Sequence, residues 1–197
     1  MKYLSFILLF LLAGNVNAQL LDSITLAHET EYTELSEALQ NPNKVYRLNL
    51  RKKKLKEFPK EIYKLKNLQE LNLSKNKLKE IPKEIDTLKH LQILDVSANN
   101  IDTIYNEIGN CTKLIKLILN QNIIAYLPPT IGNLTNLTFL DLWGNEIQAF
   151  PEEIKKLRNT LKIVDLRVIN IHDDQQEEIE RLLPDTKIFF STSCNCN

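Results

Sequence analysis

A 23-residue spacing runs through the middle of this chain and leaves few folds open to it. Val45, Leu68, Leu91, Leu114 and Leu137 open successive units. Leu161 opens a sixth, one residue late, where Arg158-Asn159-Thr160 lengthens the turn. Within each unit the apolar positions recur in the same order, as in Leu68, Leu71, Leu73, Leu78, Ile81, Ile85 and Leu88. One such unit is too small to bury its own apolar side. Stacking similar units makes each the cover of the next and the core continuous. The spacing predicts an α/β solenoid over residues 45–171, about five full units and one partial.

The residue types set the path of each unit. Alternation in Leu71-x-Leu73 turns both leucines to one face of a short strand, the solenoid interior. The chain must then turn away, and backbone groups are left inside the turn. Asn76, Asn99, Asn122 and Asn145 stand there. An amide, with both donor and acceptor, can satisfy those groups and link neighbouring turns. Lys53 and Ile169 replace the asparagine in the first and last turns, where the ladder runs out. Phe58-Pro59, Ile81-Pro82, Leu127-Pro128 and Phe150-Pro151 begin the return path. Proline keeps the residue before it extended and opens a helical turn at its first position.

The motif L-x-x-L-x-L-x-x-N-x-L at this period resembles the 23-residue class of leucine-rich repeats. The lead-in from Glu37 to Leu48 and the closing run from Leu182 to Ile188 are similar to the ends of small exported bacterial members. The resemblance implies a horseshoe segment with short parallel strands on its concave face. Short helices or 3-10 turns would form the convex face, with helical caps at both ends. It also implies protein–protein recognition, without naming a partner.

Outside the repeats, residues 1–18 read as a secretory leader. Lys2 is its only charge, Tyr3 to Gly14 is almost unbroken apolar sequence, and Val16-Asn17-Ala18 is a small-residue cleavage site. An uncleaved anchor is the competing reading, but the apolar run falls short of the ~20 residues a membrane span needs. The expected product is a secreted, periplasmic or envelope protein with no membrane span after leader removal, acting as a monomer. Residues 19–44 are expected to cap the first strand, with a helix from the capping residue Thr33 that stops at Asn41-Pro42. Residues 172–190 are expected to close the other end. There a helix begins at Asp173 or Asp174, and Lys187 to Phe190 returns as a last strand. Residues 191–197 form a polar tail.

Formal charge is zero, yet residues 44–66 hold ten Lys or Arg against Glu57 and Glu61. One reading is a solvated first unit that offsets the acidic cap beside it. The other is a docking patch for anionic glycan or lipid, with Arg47, Arg51, Lys52 and Lys54 at its centre. Nucleic acid is not expected, since no groove-reading helix or base-stacking motif is present. Cys111 stands where Leu65, Leu88, Leu134 and Leu157 stand in other units, which predicts a buried small hydrophobe. Cys194-x-Cys196 lacks redox spacing, and both an oxidised pair and free thiols remain open for it. His28, His90 and His172 are scattered, and no nucleophile and carboxylate converge with them. The chain holds only four glycines and no phosphate-cradling loop. No enzyme activity, cofactor or metal is therefore expected.

A binding surface is the remaining function class. Between the interior leucines, alternate residues point to the opposite, concave side. The candidates there are Ile93, Lys116, Ile118, Phe139, Trp143, Ile163 and Arg167, with Ile118, Phe139, Trp143 and Ile163 gathered in adjacent strands of the carboxy-terminal half. Clustered large apolar residues with aromatic and Arg anchors mark contact surfaces and their hot spots. A plainer alternative has Trp143 lying flat on Phe139 and the Arg167 stem, merely covering the sheet. The expected function is recognition of a protein or peptide across this face. If the leader reading holds, intact mass of protein from its native host will place the amino terminus at Gln19. A mass that retains residues 1–18 would overturn export.

Overall fold

The computed structural model describes residues 20–191, so the expected leader, Gln19, and the tail with Cys194 and Cys196 lie outside the described residues. Ten strands fall among them: β1 (Glu31–Tyr32), β2 (Arg47–Asn49), β3 (Glu70–Asn72), β4 (Glu80–Ile81), β5 (Ile93–Asp95), β6 (Thr103–Ile104), β7 (Lys116–Ile118), β8 (Phe139–Asp141), β9 (Ile163–Leu166) and β10 (Lys187–Phe190). Eight form one sheet in the order β1-β2-β3-β5-β7-β8-β9-β10. Every pairing in it is parallel, and equivalent residues of successive units sit opposite one another, as in Leu71 with Leu94 and Leu117 with Leu140. On the far side run five-residue 3-10 helices such as Lys83–Thr87, Asn106–Asn110 and Pro129–Asn133. A narrow second ladder, β4 with β6, lies between the two sides. The solenoid expected from the spacing is the observed fold.

The asparagine column links the units as its chemistry requires. Asn122 donates from Nδ2 to the carbonyls of Val96 at 3.1 Å and Leu119 at 2.8 Å, and its Oδ1 accepts the Ile101 N–H at 2.9 Å. Asn76, Asn99 and Asn145 repeat this pattern against their own preceding units. Immediately before each asparagine the backbone turns left-handed, at Lys75, Ala98, Gln121 and Gly144. That conformation costs a side-chain-bearing residue ~1 kcal/mol or more, so three of the four turns hold it under strain. The amide bonds on the next residue hold it there. Lys53, where the column lacks its asparagine, pairs with Glu34 of the amino-terminal cap. Cys111 is buried, its thiol donates to the Ile85 carbonyl at 3.4 Å, and burial pushes its pKa up to about 12.

The amino-terminal cap is more elaborate than a single helix over the first strand. A helix α1 (Ser23–His28) starts on Asp22, whose Oδ1 accepts the N–H groups of Ile24 and Thr25 at 2.9 Å. Strand β1 then joins the sheet beside β2. The helix expected from Thr33 is only one turn, α2 (Leu35–Ala38), and begins after Glu34 without a side-chain cap. Ahead of α1 the chain crosses the starts of β3 and β5. There the Leu21 N–H donates to Gln69 Oε1 at 2.9 Å, and its carbonyl accepts from Gln92 Nε2 at 2.8 Å. At the other end α3 (Asp173–Leu182) buries Ile179 and Leu182, and β10 extends the sheet past β9.

Glycine governs how closely the 3-10 helices approach. A Cβ on Gly109 would lie 2.5 Å from the Thr130 carbonyl oxygen, and one on Gly132 would lie 2.2 Å from that of Glu153. The same place in the first unit holds Tyr63. Tyr63 lines, with Phe58, Lys79 and Pro82, a cleft of about 580 Å³ beside the first two units. Burial, with Glu84 and Glu80 nearby, raises the Tyr63 phenol pKa to about 12. Gly132→Ala is expected to destabilise the chain by about 1–3 kcal/mol in urea unfolding, because the obstacle is backbone and cannot rotate away. An unchanged midpoint would mean the helices are not in this contact.

Candidate partner-binding face

The sheet register assembles the open face from rows one residue deep. The outer row runs Arg47, Glu70, Ile93, Lys116, Phe139 and Ile163, and Lys187 of β10 extends it. The inner row runs Asn49, Asn72, Asp95, Ile118, Asp141 and Asp165, and ends on Phe189. Adjacent strands are ~4.8 Å apart, so side chains in one row touch. The strand candidates Ile93, Lys116, Ile118, Phe139 and Ile163 thus share one surface, and Trp143 and Arg167 stand in the turns that follow β8 and β9.

The surface differs from the exposed apolar patch expected for it. Lys116 and Arg167 are exposed, but Ile93, Ile118, Phe139, Trp143 and Ile163 are each only partly exposed. Neighbouring rows on a sheet cover one another's flanks. The large apolar residues with the greatest exposure lie elsewhere, at Ile24, Ile123, Tyr126 and Val168. The Arg167 head group has partners of its own. It donates to Asp165 at 2.6 Å and stands 5.5 Å from the Phe189 ring centre, with Lys187 over the same ring at 4.8 Å. Phe189 and Lys187 are part of this face, and the row positions of the four-residue run Lys187-Ile188-Phe189-Phe190 were the signal for them.

The inner row also has a structural duty. Asn49, Asn72, Asp95, Asp141 and Asp165 each accept, through Oδ1, the N–H of the residue two places on, at 2.9–3.1 Å. This closes β2, β3, β5, β8 and β9 into their turns, while β7, with Ile118 at that place, has no such bond. Asp141 takes a second donor, the Asn120 amide, on Oδ2 at 2.5 Å. Burial raises the Asp141 pKa, and the neighbouring carboxylates of Asp165 and Asp95 add to it, against the two hydrogen bonds. At Asp165 burial works the same way, but the Arg167 guanidinium and N–H outweigh it and hold the pKa below its usual value.

In the basic first unit the charges are not equivalent. Arg47 is largely enclosed, with ion pairs to Glu70 at 2.7 Å and Glu31 at 3.3 Å and bonds to the Ala27 and Glu29 carbonyls. It fastens the cap to the sheet. Arg51, Lys52 and Lys54 are exposed and make no ion pair among the described residues. Among the described residues no group of three or more His, Cys, Asp or Glu side chains is placed to hold a metal ion, and no helix is long and apolar enough to cross a membrane.

Because asparagine already serves at the Asn49 and Asn72 positions, Asp141→Asn should keep the turn bond to the Trp143 N–H and fold, losing only the Asn120 bond to Oδ2. Asp141→Ala should lose about 1–2 kcal/mol, the worth of the turn bonds. A raised folded-state pKa means the folded chain prefers the protonated acid. Ionising Asp141 therefore costs stability once pH rises through its folded pKa, and this cost is absent below the ordinary value of 3.8. Chemical denaturation across this range should show Asp141→Asn gaining on the wild type as pH rises. A constant difference would refute the burial of this carboxylate.

The repeat geometry has clear counterparts. The family described as leucine-rich repeat region matches residues 71–185. A leucine-rich-repeat protein of Leptospira interrogans is similar in structure, with a TM-score of 0.64 and 32% identity over 83% of this chain and 53% of that one. So is the leucine-rich-repeat ectodomain of the plant membrane receptor kinase GASSHO1/SCHENGEN3 from Arabidopsis thaliana. Its TM-score is 0.57 and its identity 27%, over 68% of this chain and 17% of that one. The present chain thus spans about half of the first and a small part of the second. No curated protein matches it. With its asparagine ladder, parallel sheet and matched repeat region, this chain belongs to the leucine-rich-repeat family.

Proposed function

We propose that the protein is an exported, non-enzymatic adaptor that binds a protein or peptide across the open face of its sheet. The observation that carries this reading is the join of Ile118, Phe139, Trp143, Ile163 and Phe189 with the cations Lys116, Arg167 and Lys187 on one uncovered surface. Aromatic and Arg residues dominate interface hot spots because they bury much area at low entropic cost. The face is built on a continuous parallel sheet, which pre-organises these side chains for binding. Support comes too from the similar plant receptor ectodomain, which was solved in complex with CASPARIAN STRIP INTEGRITY FACTOR 2. The leader-like first 18 residues support export to a periplasmic, envelope or extracellular location.

Exposed Arg51, Lys52 and Lys54 favour a second reading, contact with an anionic glycan or lipid surface through the first unit. The two readings separate by experiment on a partner captured from envelope or medium fractions. Trp143→Ala should weaken that partner by ~2 kcal/mol or more. It should change the thermal midpoint far less, and affinity should depend little on salt. Lost binding in the Arg51→Glu, Lys52→Glu double variant, with Trp143→Ala unchanged and a steep salt dependence, would overturn the sheet-face reading in favour of the basic unit.

A further inference from the structure

Resting on the sheet face as a peptide site, we propose that Asp141, with Phe139, Trp143 and Ile118 beside it, receives a cationic side chain from an extended partner segment. The argument starts from what this carboxylate lacks. Its two oxygens accept the Trp143 N–H and the Asn120 amide. A carboxylate offers about four acceptor sites, so roughly two remain open. No Lys or Arg among the described residues pairs with Asp141 at ion-pair distance. Arg167 feels it only at longer range, because its guanidinium is held by Asp165. Asp95, on the far side of Ile118 in the same row, is likewise without an ion-pair partner.

The surroundings suit a long cationic side chain. Phe139 lies two residues before Asp141 on the same strand, and the Ile118 backbone is its register partner on β7. Apolar flanks can take the methylenes of Arg or Lys while the head reaches the acid. Aromatic faces attract the same head through their quadrupole. An ion pair formed against a partly desolvated carboxylate is stronger than one made in open solvent. The strand face matches a partner in extended conformation, whose alternate side chains descend onto the rows.

Random-dodecamer phage display against the full chain without its leader, followed by titration of the enriched synthetic peptides, tests this. Enriched peptides should carry Arg or Lys at one fixed position, and Asp141→Asn should weaken them by about tenfold or more. Replacing that residue by citrulline or norleucine should cause the same loss, with little added when both changes are combined. Exchanging Arg for Lys at that position tells a guanidinium from an ammonium. Peptides without a basic residue, or full affinity for Asp141→Asn while Trp143→Ala loses binding, would overturn the cation site and leave the sheet-face reading standing. Wild-type affinity in both variants would overturn the sheet-face reading itself. A failure to enrich any peptide would remove the peptide occupant. Self-association of the chain that Asp141→Asn abolishes would assign the face to a second copy and likewise overturn the proposal.

Discussion

The asparagine ladder is the interaction on which the rest of the structure depends. Each amide donates to carbonyls of its own turn and of the unit before, and accepts an N–H from that earlier unit. Leucines alone would bury well in many registers, because apolar contact is not directional. An amide inside the turn permits only one, since a slip would strand its buried donors and acceptors. It also pins the left-handed residues Lys75, Ala98 and Gln121, which no local preference would select. Register, turn geometry and the straight rows of the open face follow from the same bonds.

Those rows let a structural position become a binding position. Asn49, Asn72, Asp95, Asp141 and Asp165 perform one task, accepting an N–H two residues on, and an amide or a carboxylate performs it equally. The free choice between Asn and Asp therefore writes charge onto the face without touching the fold. Toward the carboxy end the chain uses Asp. At Asp165 it supplies the counter-ion from its own next turn, while at Asp141 it supplies only neutral donors. On the opposite side, Gly109 and Gly132 leave no room for a Cβ against the next helix, while Tyr63 at the same place in the first unit lines an open cleft.

Much of this was legible before any coordinates. The 23-residue period, the asparagine column and the proline starts specify strand, turn and 3-10 helix, and Cys111 in a leucine column reads as core because it is core. The candidates Ile93, Lys116, Ile118, Phe139, Trp143, Ile163 and Arg167 were readable as one set by simple register. Less legible was the amino-terminal cap. Its helix α1 and strand β1 are short, and beyond the local Asp22 cap they are tied down by Arg47, Gln69 and Gln92 far along the chain.

Sequence by itself determined the solenoid, its interior and the order of the rows, because periodic burial and a periodic polar column leave one way to stack. Only the tertiary structure decided which charges are spent and which are free. Arg47, prominent in the basic run, is consumed by Glu31 and Glu70, Arg167 is turned to Asp165 and Phe189, and the isoleucines and aromatics of the face are half covered by their neighbours. The physical reason is that ion pairing and solvent exposure depend on which rotamer a head group takes and on which neighbouring strands and turns surround it, as when Arg47 reaches Glu70 on the next strand and Arg167 meets Phe189. A repeat pattern names the row on which a side chain stands. The partner its head group chooses across that row is set by the folded surface.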